Sequence, residues 1–417
     1  MMQRIKWMIS LLVVAPVLSF AQQDTVLSLP GIIQKIDSNN LLLQTYGLRA
    51  ESYKYSAEAA TAWMAPMVGM GTWQTPYPGQ KIMDARDRGM VMIRAEQDIP
   101  NLSKQRAKSR FIESQGNVEL ASRGVTLNEL RTQAKRQYYT WLVALQRIKV
   151  LQRNQQVLAM MKKIEEVRYP YNQSALSSIY RSDAEIERNR NMVQMQLGEI
   201  ERAKAILNSL MNRPGNQQLM IDTTYNVRFK PEAAIDTAQL SAERSDIYRM
   251  NENIRSMLLN IDAMRQESKP DFKVQFDHMM PLSRMMPNAY SIMGMISIPI
   301  APWASRMYKS DIKAMQLNIQ SMERERAAML QETQGMLYGM QAEIQSMQRR
   351  LSTIETKVLP ALQKTFDANY LVYQENKLSV TALLDSYEAL NMMQMDLLDE
   401  KLKFYQMIVD YEKELYR

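Results

Sequence analysis

Cysteine is missing from all 417 residues, and histidine occurs once, at His278. Without thiols there is no disulfide, no thiolate metal site and no lipidated N-terminal cysteine, so an exported form must hold together by packing alone. One histidine excludes a multi-histidine zinc site within a chain. Glycine-rich phosphate loops, Walker patterns and the zinc-protease His-Glu-x-x-His pattern are also missing, and no acid, base, nucleophile or metal ligands form a recognisable constellation. No catalytic residue and no cofactor is therefore assigned. After the N-terminus no apolar run is long enough to cross a bilayer as a helix, so any membrane passage must be made by strands.

The N-terminus itself reads as a targeting segment. Arg4 and Lys6 precede the apolar run from Ile9 to Leu18, which ends in Ser19-Phe20-Ala21, the order of a secretory signal peptide. Residues 1–21 are assigned to it. The formal charge of +8 is spread along helical patterns and interleaved with acids, as in Glu323-Arg324-Glu325-Arg326. Such interleaving makes a solvated helix face rather than a nucleic-acid footprint, and no nucleic-acid partner is expected.

What is present is duplicated. The first unit covers 22–214 and the second 242–417, separated by a linker at 215–241 without clear helix period. Ile99-Pro100 matches Ile298-Pro299, Met90-Val91-Met92 matches Met293-Gly294-Met295, and Tyr169-Pro170-Tyr171-Asn172 matches Tyr373-Gln374-Glu375-Asn376. Each unit reads as a helix, two short strands, a very long helix and a last helix. The strands fall at about 63–73 and 89–99, then at about 271–280 and 289–299. The long helices cover 103–171 and 305–372, and the last ones 177–211 and 379–416. Each long helix would reach roughly 95–100 Å. Met315, Met322, Met329 and Met336 recur every seven residues, then Met340 and Met347 follow after a shift of four, which describes a coiled-coil seam. Two shorter helices stacked end to end match the length of one long helix, predicting four helical columns per chain.

In the strand segments apolar and polar residues alternate. Phe272, Val274 and Phe276 interleave with Lys273, Gln275 and Asp277, and Val91, Ile93 and Ala95 with Met92, Arg94 and Glu96. This dyad belongs to a barrel wall with lipid outside and water inside. Trp63 and Trp303 stand near helix–strand junctions, where a membrane interface collects aromatics. Four strands cannot close a barrel, and an open edge in lipid is forbidden, so several chains must share one.

Methionine occurs 35 times. In the helices it reads as flexible packing. On the strands, Met90, Met92, Met293 and Met295 occupy equivalent places in both units, on the side expected to face water. His278, Met279 and Met280 follow near the second hairpin turn. Thioether sulfur suits Cu(I) and Ag(I), which makes these seven candidate lumenal soft-metal contacts, without a firm site.

The order of these features resembles the TolC family of outer-membrane efflux proteins. Three stretches carry the likeness: RAESYKYSAEAATAWMAPMVGMGTW (49–73) mirrored by NIRSMLLNIDAMRQESKPDFKVQFDHMM (253–280), the strand-to-helix junction SIPIAPWASR (297–306), and YLVYQENKLSVTALLDSYEAL (370–390). The last is similar to the family's Tyr-x-x-Gly-x-x-Ser pattern with a following acidic segment. The Pro-Met strand near 66 looks like the heavy-metal branch of the family. The resemblance implies a mainly α protein with a small β part. It would be a homotrimer with a twelve-helix periplasmic α-barrel continuous with a twelve-stranded outer-membrane β-barrel. It further implies a passive conduit for metal ions of Cu/Ag type or small toxic compounds, working with a periplasmic adaptor and an inner-membrane RND-type pump. Tip, docking and gate residues carried over are Tyr169, Asn172, Tyr373, Glu375, Asn376, Ser379 and Asp385. The pattern's glycine is Asn376 here, and its first acidic position is Ala382. A protein-export duct of the same fold, or an exported coiled coil without a pore, is the alternative reading.

Overall fold

The computed structural model describes residues 26–224, 227, 229, 231, 234–299 and 301–416. The expected signal peptide at 1–21 lies outside the described residues. Strand β1 (Val26–Leu27) leads into α1 (Leu29–Asn39) and α2 (Leu41–Ala59), then β2 (Met67–Trp73) and β3 (Met90–Ile99). The rod α3 (Leu102–Arg168) turns into α4 (Leu176–Leu210). After β4 (Met220–Ile221) and α5 (Thr237–Glu243), the second unit repeats the order: α6 (Ser245–Gln266), β5 (Asp271–Pro281), β6 (Ala289–Ser297) and α7 (Pro302–Thr353). A π turn at Ile354–Val358 separates α7 from α8 (Leu359–Gln374), and α9 (Val380–Glu414) closes the chain.

Several expectations change in detail. The first helix of unit one is two helices, because Asn40 interrupts it. The Asn40 side chain accepts from the backbone N–H groups of Leu42 (3.0 Å) and Leu43 (3.4 Å), the geometry of an N-cap. The linker at 215–241, expected to lack a clear helix period, contains β4, paired in parallel with β1, and the first residues of α5. The strand expected from 63 begins at Met67. The second rod is not one uninterrupted helix. Pro360 has no N–H for the carbonyl four residues back, and the N–H of Leu359 instead reaches the carbonyl of Ile354, five back.

The short helices of each unit meet end to end. The Asn40 amide, at the start of α2, donates to the carbonyl of Leu210 at the end of α4 (2.9 Å). In the second unit Arg244, beside the start of α6, donates to the carbonyl of Glu414 at the end of α9 (2.8 Å) and pairs with its carboxylate (3.1 Å). Both joints link residues 170 apart in sequence, so the two units are spliced alike.

Rod α3 is flanked along its length by α2 and α4 of its own unit and by α6 and α9 of the other. Close approach is enforced at Gly116, where an added Cβ would lie 3.1 Å from the Ala50 carbonyl, and at Gly124, where it would lie 2.8 Å from Ser245 Oγ. Among the described residues the core has three parts. The largest surrounds the joints and includes Ile32, Tyr138, Leu207, Leu337 and Ile408. A second, near the hairpin turns, includes Leu158, Met161, Phe366, Tyr373 and Leu383. The third packs Ile254 and Ile261 on Ile319 near the sheet. Met315 and Met322 pack on this third part and Met340 and Met347 on the first, whereas Met336 is exposed and Leu337 takes the buried place.

Candidate functional site

Two regions concentrate polar chemistry, one at each end of the rods. At the first, four strands form an antiparallel sheet in the order β2-β3-β5-β6. Register fixes which residues share a face. Glu96 stands opposite Met67 and Gln275, Arg94 opposite Gly69 and Asp277, and Met92 opposite Gly71 and Met279. On β6, Ser291 stands opposite Asp277, Met293 opposite Gln275 and Met295 opposite Lys273. All six charged side chains of these strands, Arg94, Glu96, Asp98, Asp271, Lys273 and Asp277, therefore fall on one face. They are cross-linked there: Arg94 Nε to Asp277 Oδ1 at 2.8 Å, and Lys273 Nζ to Glu96 at 3.3 Å and Asp98 at 3.5 Å. Gln275 Nε2 adds a 2.7 Å bond to Asp277. The opposite face carries Val68, Met70, Ile93, Phe272, Phe276, Tyr290, Ile292 and Ile296, all exposed.

Of the seven soft-metal candidates, Met90, Met92, Met279, Met293 and Met295 lie on the charged face. His278 and Met280 do not. His278 stands opposite Ile93 and Tyr290, and Met280 opposite Val91, on the apolar face. β5 runs on to Pro281, so strict alternation continues through residues that sequence proximity alone groups into one cluster. Among the described residues no group of three or more His, Cys, Asp and Glu side chains is placed to hold a metal ion.

The sheet is tied to the rods at the Asn101 junction. The Asn101 side chain caps α3 through Ser103 N (3.1 Å) and donates to the Pro270 carbonyl (3.0 Å), while Lys104 pairs with Asp271 at 2.8 Å. Trp63, between α2 and β2, and Trp303, in the first turn of α7, are exposed.

At the other end two helical hairpins turn on Asn172 and Asn376, both in the left-handed region with φ of 54° and 60°. Each turn closes alike: Gln173 N to Arg168 O at 3.2 Å, and Lys377 N to Val372 O at 3.1 Å. Asparagine tolerates that conformation better than other residues carrying a side chain, which is why it can replace glycine here. Tyr373 is fully buried, and its hydroxyl donates to Glu165, whose other oxygen accepts from Ser174. Burial, reinforced by that carboxylate, holds the Tyr373 phenol well above its ordinary range. Arg168 lies 4.6 Å over the Tyr373 ring and donates to the carbonyls of Tyr373 (2.8 Å) and Gln374 (3.1 Å), at the C-terminal end of α8.

The remaining tip candidates have separate settings. Ser379 caps α9 by accepting from Ala382 N (3.3 Å), and Glu375 pairs with Lys377 (2.7 Å). Asp385 meets Arg181 (3.2 Å), the residue 204 positions earlier in the first unit. Lys162 pairs with Asp183 at 2.6 Å, and that bond raises its pKa. Tyr169 is partly exposed on the surface of its turn. Sequence reasoning missed Glu165, Arg168, Ser174 and Arg181. The repeat held a signal for the first two: their counterparts at an offset of 204 are Asn369 and Val372, so a charged pair in one unit faces no charge in the other.

Neither a family model nor a curated protein matches the sequence. Solved structures do. The channel protein CusC matches with a TM-score of 0.72 at 15% identity over 93% of this chain and 91% of that one. The outer-membrane protein VceC of Vibrio cholerae matches at 0.70 and 14%, over 93% and 95%. The outer-membrane channel CmeC of Campylobacter jejuni matches at 0.70 and 13%, over 93% and 85%. The chain therefore has the fold of these outer-membrane channels, the fold its resemblance to the TolC family implies. No helix among the described residues is long and apolar enough to cross a membrane.

Proposed function

We propose that the chain is one protomer of a trimeric outer-membrane efflux duct. The observation that carries this reading is the sheet. It has one charged face, one exposed apolar face, and two outer strands, β2 and β6, each paired on one side only. Unpaired backbone cannot face lipid, so such a sheet becomes stable in a bilayer only when copies join edge to edge. Three copies give twelve strands, with the charged face turned to water. The same pooling serves the rods. α3 has neighbours from both units, whereas α7 packs mainly on α6 and α9 of its own unit and leaves Met307, Leu317 and Met336 exposed. The duplication supplies the missing neighbour: α2 of the next protomer, which exposes Leu41, Leu48 and Tyr55.

On this reading the paired turns point into the periplasm and receive an adaptor, behind which stands an RND-type pump. Exposed Val167, Tyr171, Leu176 and Tyr180 give the first hairpin an apolar docking surface. The protein is a passive conduit, and the pump selects the cargo. Metal ions of the Cu/Ag type are the favoured cargo over other toxic compounds because methionines stand on the charged face. The test is reconstitution of the purified mature protein in planar bilayers. Stepwise ion conductance from a heat-modifiable trimer is expected; a water-soluble monomer without conductance overturns the proposal.

A further inference from the structure

The register of β3 and β5 places three thioethers together at the end of the sheet farthest from the rods. Met92 stands directly opposite Met279, and Met90 lies two residues along β3 on the same face. Directly opposed side chains have Cβ atoms roughly 4.5–5.5 Å apart, and diagonal neighbours remain within reach of long side chains. All three are half-buried, although they share a face with every charge of the sheet. A lipid-facing role does not fit that register, because the three share their face with the charged side chains. Thioether sulfur is an uncharged soft donor that takes Cu(I) and Ag(I) and leaves Zn(II) and hard cations to nitrogen and oxygen.

We propose that Met90, Met92 and Met279 form a three-thioether site for a soft monovalent cation, Cu(I) or Ag(I), near the outer mouth. The inference deepens the duct reading, since it takes the charged face as the channel wall. The electrostatics support it. Arg94 Nη2 lies 3.8 Å from Met92 Sδ, but this guanidinium is neutralised by Asp277 at 2.8 Å. Lys273 is likewise paired, with Glu96 and Asp98, so both cations of these strands are neutralised and neither opposes a bound cation. Because a thioether has no proton to lose, binding is flat with pH, unlike that of imidazole or thiol sites. His278, on the other face, takes no part.

The detergent-solubilised full-length protein is titrated with Cu(I) in competition with a chromophoric chelator, and separately with Ag(I). The expected result is an affinity constant between about pH 5.5 and 7.5, with M90L/M92L/M279L weakening it at least about tenfold. Leucine conserves volume, so folding should survive. H278Q and the helix-seam variant M315L/M322L/M329L should bind as the parent does. Should the triple variant fail to assemble, M92L and M279L singly are read in the same way, each expected to weaken binding. Leucine variants that bind Cu(I) and Ag(I) like the parent, or a loss with H278Q, overturn the site. Bilayer conductance separates the two proposals: a parent that conducts but does not bind retains the duct and loses the site, and a parent that binds without conducting does the reverse.

Discussion

Asn376 and Tyr373 stand three residues apart, one fixed by local backbone geometry and the other by a distant partner. Asn376 is legible locally, because a positive φ after a helix narrows the choice to glycine and asparagine. Its replacement by alanine should cost about 1 kcal/mol and replacement by glycine little, read as shifts in the thermal melt of the assembled protein. Tyr373 was legible as a motif position, but its partner was not: Glu165 lies 208 residues away, and nothing in periodicity joins them. With the phenol pKa raised in the fold, the unfolded chain ionises first. The contribution of Tyr373 is therefore full below its ordinary pKa of 10.0 and declines as pH rises above it. Denaturation at increasing alkalinity should show this decline, and Y373F should flatten it. At neutral pH Y373F should itself be about 1–3 kcal/mol less stable, since the buried Glu165 carboxylate loses a donor.

At the scale of elements, strand alternation was readable because its period is two, and a shift of one residue would move every side chain to the other face. The same rule sets His278 and Met280 apart from Met279: nearness to a turn groups the three, but the strand continues through them and alternates its faces. The rods were readable from their length and heptads, whereas the break at Asn40 and the π turn were not, because each depends on a capping bond or a missing N–H at one position. The two faces of β6 offer a sharp comparison. Ile292→Arg on the apolar face should cost about 2–4 kcal/mol if it lies near mid-bilayer, and abolish insertion into vesicles. Met293→Arg, one residue further and on the charged face, should insert normally. Equal insertion of both variants, scored by protease protection, would contradict the assignment of faces.

For the whole molecule, the duplication sets the architecture, and the departures from it say where the two halves differ. The sheet ends of the repeats are related by an offset of 199 residues, at Pro100 and Pro299, and the turns by 204, at Asn172 and Asn376. The second half thus holds five more residues between the same two landmarks, and one place where the surplus is absorbed is the π turn ahead of Pro360. An α-helix advances about 100° per residue, so a single residue carried in a wider turn resets the angular phase of everything beyond it. Phe366 and Tyr373 reach the buried side of their hairpin only after this reset. Deleting one residue from 354–358 should let the segment relax to plain α-helix and swing both aromatics outward. Proteases would then cleave the distal hairpin while the joint near Arg244 and Glu414 stays intact. Five residues in mid-rod thereby aim a tip that lies about 25 Å further along the helix axis.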